Sequence, residues 1–375
     1  MSRRKVLLSA LGLACSGLHG VSRAQRNLPP LVLGMTGILT GPLGDPVKMM
    51  LKGANLAFAE NLAQGGIDGR EVRLVALDDS LNPKTAVENY RTLMGTQGLV
   101  GFFGSVGSAT TSAAAPILKE SGCPLFGAYA VADSARESVK GSAFFLRATN
   151  ARELEVLVQH LTTIGVVKIA IAHLNNPGGN EVAGLCDKAI SSKGYVPTST
   201  VNVNVDGSNI EQAAKIIAAS KPQAVIMYLG GSVATKLMEQ TWAAGSVPTF
   251  YGMSIVPGDT IAKAIGEKAK NLIISQVIPY PWSQSNDVAR SFRRLADKES
   301  VPISYYSYEG YLNALVMIAA LKKCEKDVSR QRLQTVLRSL NTRVGGLDVD
   351  FTDGGHTGSR FVELVQLRAD GGFVR

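Results

Sequence analysis

Ser108 stands where a binding group is most readily built. It ends a turn of two glycines and two serines, residues 104–108, which follows the apolar run 99–103 and precedes a helix-length segment apolar through Ile117 and Leu118. Backbone amides freed at the start of that helix suit a carboxylate, and Ser108, Thr110 or Thr111 can cap it. A second loop, 128–133, closes the next apolar run, 123–127. Two neighbouring strands therefore end in small-residue loops at one sheet edge, where open α/β sheets hold ligands. Tight strand–helix packing asks for the same glycines and serines, and on these residues alone both readings stand.

Little else in the chain suggests catalysis. The pair Asp78-Asp79 has the residue type for general acid–base work, but at a strand end beside a helix start it also reads as a solvated cap. The histidines, at 19, 160, 173 and 356, show no metal-ligand spacing, so no metal is expected. There is no G-x-S-x-G elbow and no phosphate loop ending in Gly-Lys-Ser/Thr, and GFFGSVG departs from G-x-G-x-x-G. No cofactor is expected, and the chemistry indicated is binding. Cys123, Cys186 and Cys324 are odd in number and widely spaced, which implies no disulfide framework. Cys123 and Cys186 lie in apolar runs and read as core.

Two lobes are needed to position these loops. At 375 residues the chain exceeds one ordinary core. Strands are expected at 31–35, 71–78, 99–103, 123–127 and 144–148, with helices at 47–63 and 83–94 and a Gly/Pro-rich loop at 36–46. The alternation restarts after Arg152, with helices at 153–164, 182–192, 210–219 and 233–244. The matching strands are 167–173, 195–203, 224–229, 249–251 and 272–278. Helices at 288–298, 305–324 and 328–340 follow, then a strand-like tail, 345–375. Strands separated by helix-length segments imply parallel, doubly wound sheets, so the fold class is α/β with two such lobes. No low-complexity linker separates them, which suits a hinge.

Composition narrows the class further. Hydrophobic residues at 45% and charged residues at 18% fit a globular chain. Arg3, Arg4, Lys5 and Arg23, with no acid among the first 24 residues, supply +4 of the formal net +9. The remainder shows no basic cluster interleaved with aromatics, so nucleic acid is not an expected partner. Residues 1–24 read as a signal peptide: a charged start, a short apolar core at 6–18, and Ser22-Arg23-Ala24 before a cut. The paired arginines of SRRKVLL resemble a twin-arginine signal. Gly12, where a lipid-anchor motif takes leucine, argues against a lipoprotein site at Cys15. The expected location is the periplasm.

Several segments together resemble one family. GILTGP (37–42), GGIDGREVRLVALDDSLNPKTAVEN (65–89), GFFGSVGSATT (101–111), PLFGAYAVADSAR (124–136) and FFLRATNARE (144–153) are similar to the periplasmic solute-binding proteins of ABC transporters, in the branch of the leucine/isoleucine/valine-binding protein. The resemblance covers essentially the whole mature chain. It implies two α/β lobes joined by three crossings, residues 28–147 with 281–346 and residues 148–280 with 347–375, closing over a ligand. It implies ligand contacts at Leu43, Gly107, Ser108, Tyr129, Ala130 and Val131 in the first lobe. In the second it implies Asn176, Gly178, Gly231, Ser232 and Ser254. Tyr308 lines the cleft on one reading and is a core tyrosine on the other.

Departures from the family pattern bear on the ligand. The acid that takes a ligand ammonium falls on Ser254, an aromatic position on Gly178, and a hydroxyl position on Val131. An ammonium buried without a carboxylate is costly, so a carboxylic acid or amide is expected ahead of an ordinary α-amino acid. The function implied is the solute-binding component of an ABC importer, a monomer whose partners are a small-molecule ligand and a membrane permease. An exported sensor reporting to a membrane receptor is the alternative, and the missing catalytic constellation argues against an enzyme.

Overall fold

The computed structural model describes residues 28–368 and 370–375. The expected leader, with its cut after Ala24, its paired arginines and Cys15, lies outside the described residues.

The first sheet is parallel, in the order β2-β1-β3-β4-β5. Its strands are β1 (Leu31–Gly37), β2 (Val72–Asp78), β3 (Leu99–Phe103), β4 (Leu125–Phe126) and β5 (Ala143–Phe144). Connecting them are α1 (Gly41–Ala63), α2 (Pro83–Met94), α3 (Ser108–Ser121) and the short α4 (Asp133–Ser138). β1 and β3 are buried along their whole length, because helices cover both faces of a parallel sheet. α1 begins six residues before the expected start at 47, because proline is tolerated in a helix's first turn, where its missing N–H is not needed.

The second sheet repeats this order in β6 (Ile169–Leu174), β7 (Ser199–Val203), β8 (Ala224–Tyr228), β9 (Thr249–Gly252) and β10 (Leu272–Gln276). Around it lie α5 (Asn150–Thr163), α6 (Pro177–Ser191), α7 (Ile210–Ser220), α8 (Ser232–Ala243) and α9 (Gly258–Ile265). The chain then returns to the first lobe in α10 (Asp287–Lys298), α11 (Tyr305–Lys323) and α12 (Arg330–Arg338). α1 and α11 cross at backbone distance. A Cβ on Gly53 would lie 1.7 Å from the Ser307 carbonyl oxygen, and one on Gly310 1.9 Å from that of Met50.

The C-terminal segment adds antiparallel strands to the parallel, doubly wound sheets. β11 (Asn341–Val344) and β12 (Leu347–Asp350) form an antiparallel hairpin, and β13 (Glu363–Leu367) and β14 (Phe373–Val374) add antiparallel strands beside β10. The short turns within β11–β12 and β13–β14 leave no room for the crossover a parallel pair requires. The expected division at 346/347 falls inside the first hairpin. Phe351 just beyond it packs edge-on against Phe126 and Phe144, which keeps the hairpin with the first sheet.

Segments 145–149, 277–286 and 352–362 pass between the two sheets. The first and third run side by side: the Phe145 amide donates to the His356 carbonyl at 2.7 Å, and the Gly358 amide to the Phe145 carbonyl at 2.8 Å. Cys123, Cys186 and Cys324 are buried free thiols.

Candidate functional site

In each sheet the strand order reverses beside the first strand, between β1 and β3 and between β6 and β8. Residues at or just past the carboxyl ends of those four strands line one cavity of about 330 Å³, as expected at a switch point. The first lobe brings Ile38, Val106, Gly107 and Ser108, with Tyr129 and Ala130 from the loop after β4. The second brings Leu174, Asn176 and Gly178 after β6, and Tyr228, Gly230 and Gly231 at the end of β8. Leu43 on α1 reaches over, its Cδ2 3.3 Å from where a Gly230 Cβ would sit.

The backbone at α3 explains why amides are free there. The residue before the helix is Gly107, at φ +92°, where an added Cβ would be strained and would meet Thr110 Oγ1 at 2.9 Å. Glycine brings no side-chain cap, so the leading N–H groups of α3 lack an acceptor from that position. The expectation that Ser108, Thr110 or Thr111 caps the helix is corrected accordingly. Thr110 instead donates its hydroxyl to the Val106 and Gly107 carbonyls. Ser108 Oγ accepts the Ala132 amide at 2.9 Å, pinning the loop 128–133 and leaving its hydrogen to donate. α8 likewise starts after an uncapped Gly231 at φ +61°. α6 differs: Asn176 Oδ1 accepts the Gly179 amide at 2.8 Å.

The lining of this cavity is mostly apolar. Its polar side chains are Ser108, Thr110, Asn176, Tyr129 and Tyr228, and among the described residues no acid, lysine, arginine or histidine lines it. Burial pushes the Tyr228 phenol up to about 12 and Tyr129 well above its ordinary value, so both remain neutral donors.

Charge gathers one ring behind the cavity. The Arg147 guanidinium stacks on Tyr129 at 4.8 Å from the ring centre. Its Nη1 donates to both Glu309 oxygens, at 2.9 and 2.6 Å, and its Nη2 to Ser254 Oγ. Ser254 donates its amide and hydroxyl to Glu153 at 2.9 and 2.8 Å, and Ser275 donates to the same carboxylate at 2.7 Å. Arg136, only 2% exposed, donates to the carbonyls of Val131, Arg147 and Ala148. Burial opposes the charge on Arg147, but Glu309 beside it leads the groups that raise its pKa overall.

Of the residues singled out in sequence, Leu43, Gly107, Ser108, Tyr129, Ala130, Asn176, Gly178 and Gly231 meet at the cavity. Four do not, and each is a correction. Val131, 2% exposed, turns into the first-lobe core beside Leu125 and Ala128. Ser232 lines a neighbouring cavity instead. Ser254 is consumed between Arg147 and Glu153. Tyr308 is fully buried against Phe292 and Tyr311, the core reading. Asp78 accepts from the Leu39 and Ser80 amides and the Thr40 hydroxyl, and Asp79 from Thr36 and the Leu81 amide. The pair therefore pins the loops after β1 and β2. Ile38, Leu174 and Tyr228 were not singled out; their place at strand ends was the available signal.

Comparison with known proteins agrees with this fold. Residues 30–372 match the family model described as periplasmic binding protein. The Leu/Ile/Val-binding protein of Escherichia coli strain K12 is 24% identical over 265 residues, 68% of this chain and 69% of that one. The substrate-binding periplasmic protein from Ralstonia solanacearum superposes with a TM-score of 0.85 at 25% identity, covering 92% of this chain and 99% of that one. A solute-binding protein of an ABC transporter from R. palustris, solved in complex with benzoate, gives 0.80 at 18% identity, covering 92% and 95%.

Proposed function

This chain belongs to the periplasmic binding protein family, and from that premise we propose that it captures a small carboxylate lacking an α-ammonium between its lobes and passes it to a membrane ABC permease. The relatives are solute-binding proteins of the branched-chain amino acid transporter type rather than enzymes.

The ligand class rests on one observation: a cavity walled by both lobes whose lining includes uncapped helix amides but no carboxylate. An anion at α3 gains from those amides and from the helix dipole. A zwitterion would leave its ammonium facing glycine, leucine and tyrosine, a desolvation cost of several kcal/mol. The benzoate held by the R. palustris protein is a carboxylate of the required kind.

Capture proceeds by closure about the three crossings, residues 145–149, 277–286 and 352–362. Polar contacts between α4 and α6 hold the lobes together: the Ser134 amide donates to Glu181 Oε1 at 3.0 Å, and its hydroxyl to Glu181 Oε2. A ligand touching both walls shifts the population toward the closed form that a permease reads. The lobes on this reading are residues 28–147 with 281–351, and 148–280 with 352–375, after removal of a leader ending at Ala24.

Calorimetry with leucine, isoleucine and valine beside their 2-oxo analogues and benzoate tests the ligand class. The oxo acids are expected to bind more tightly. Tighter binding of the amino acids overturns the reading.

A further inference from the structure

A second cavity, of about 470 Å³, adjoins the first, and Pro46 and Gly231 line both. Its walls again come from both lobes. Asp45, Met49 and Tyr306 face it from the first, and Ser232, Asp259 and Lys263 from the second. Unlike the inner cavity, it is lined by acids. Two of the three are satisfied: Asp45 pairs with Lys48 at 2.7 Å, and Asp370 pairs with Arg368 at 2.6 Å and accepts the Gly372 amide.

Asp259 is different. Among the described residues its carboxylate has no hydrogen bond or ion pair with any other residue; its own backbone amide is the donor that reaches it. Lys263, one turn along α9, stands beyond ion-pair distance, since no such pair forms. Asp259 is half-buried, and a carboxylate partly withdrawn from water is ordinarily paired, because the uncompensated charge is costly. A place in the first turn of a helix should hold such a group low. Burial instead pushes the Asp259 carboxyl up to about 6, with Lys263 opposing. A capping role would explain the residue without a ligand, yet the residue before α9 is Pro257 and no side chain caps the helix.

We propose that this outer chamber is a subsite for the far end of the ligand, where Asp259 receives a primary ammonium joined to the carboxylate by an apolar spacer that passes between Pro46 and Gly231. The inference rests on the carboxylate reading of the inner cavity and extends it. The ligand class becomes acids without an α-ammonium that carry a remote amine. The spacer keeps the cation out of the neutral inner cavity and delivers it to the unpaired acid.

The test uses isomers. Hexanoate, 2-aminohexanoate and 6-aminohexanoate differ only in the presence and place of the amine. Shorter and longer ω-amino acids, and 4-(aminomethyl)benzoate beside 4-methylbenzoate, vary the spacer. Calorimetry on the full mature chain is expected to show, at one spacer length, an ω-amino acid binding about tenfold tighter than its plain acid. That ratio is expected to fall to near one in Asp259→Asn and to rise in Lys263→Gln, which removes the competing cation and serves if the first variant fails to fold. If plain acids bind and no ω-amine gains over its own plain acid, the outer subsite is overturned while the carboxylate reading stands. If 2-aminohexanoate binds more tightly than hexanoate, the carboxylate reading fails, whatever the ω-amine ratio does.

Discussion

The inner cavity and the charge cluster meet at Tyr129, which lines the one and carries the Arg147 guanidinium of the other, and they are built on opposite principles. The cavity has hydrogen-bond donors without protein partners and no charged side chain in its lining. The cluster buries two arginines and two glutamates whose hydrogen-bonding capacity is largely consumed by other protein groups. Charge here serves to join segments: Arg147 sits on the first crossing and reaches Glu309 in one lobe and Ser254 in the other. On the proposed reading, the unsatisfied neutral donors serve a ligand. The difference also explains Ser254. Where the resemblance implies a ligand-binding acid, Ser254 instead receives the protein's own guanidinium.

The largest expected effect comes from breaking the cluster. Arg147→Met leaves Glu309 buried without its ion-pair partner, and urea unfolding should show a loss of about 3–5 kcal/mol. Arg147→Met combined with Glu309→Gln should recover a substantial part of it. A double variant no more stable than the single one would break the comparison, because it would mean the charges do not balance one another.

A smaller effect is expected from the cavity side. Gly107→Ala places a Cβ at φ +92° against Thr110 and Leu81, a strain of about 1–3 kcal/mol, and should also weaken binding of 2-oxo acids by displacing the leading amides of α3. Asn176→Ala removes a true cap from α6 and should cost about 1 kcal/mol of stability. Equal costs in ligand affinity for the two changes would remove the distinction between a helix end left open for a ligand and one closed by its own side chain.

The smallest effect is in pH. With the tyrosine phenols pushed up by burial, nothing lining the inner cavity titrates near neutrality, and the affinity for benzoate should be flat between about pH 6 and 8. Asp259 in the outer chamber should be visible instead in stability. Its folded-state pKa, about 6, lies above the ordinary 3.8, so the folded protein holds this proton more tightly than the unfolded chain. Its contribution is present at low pH and is lost as pH rises from about 4 to about 6. Thermal melting of Asp259→Asn against wild type should show that portion of the slope removed; parallel curves would deny the group its buried character.

Much of this was legible residue by residue. The glycine- and serine-rich turn before Ser108 marks a strand end and a helix start within ten positions, and the structure places both there. Asn176 is equally local, a capping residue followed by proline. Tyr228 was missed because it differs in no local respect from the apolar run it ends; only the strand order makes its end of β8 face the cleft. The core place of Tyr308 could not be chosen in sequence, since a helix apolar on every side shows no face to solvent.

Short-range physics therefore settled the elements, their alternation into two α/β lobes, and the loops that leave amides free. These depend on spacing, turn residues and caps, which act over a few positions. The pairing of Arg147 with Glu309 spans 162 positions, and that of Ser254 with Glu153 spans 101. The solitary Asp259 is defined by what fails to reach it. Burial and pairing of charge depend on which segments the folded chain brings within a few ångströms, and there the tertiary structure alone decided.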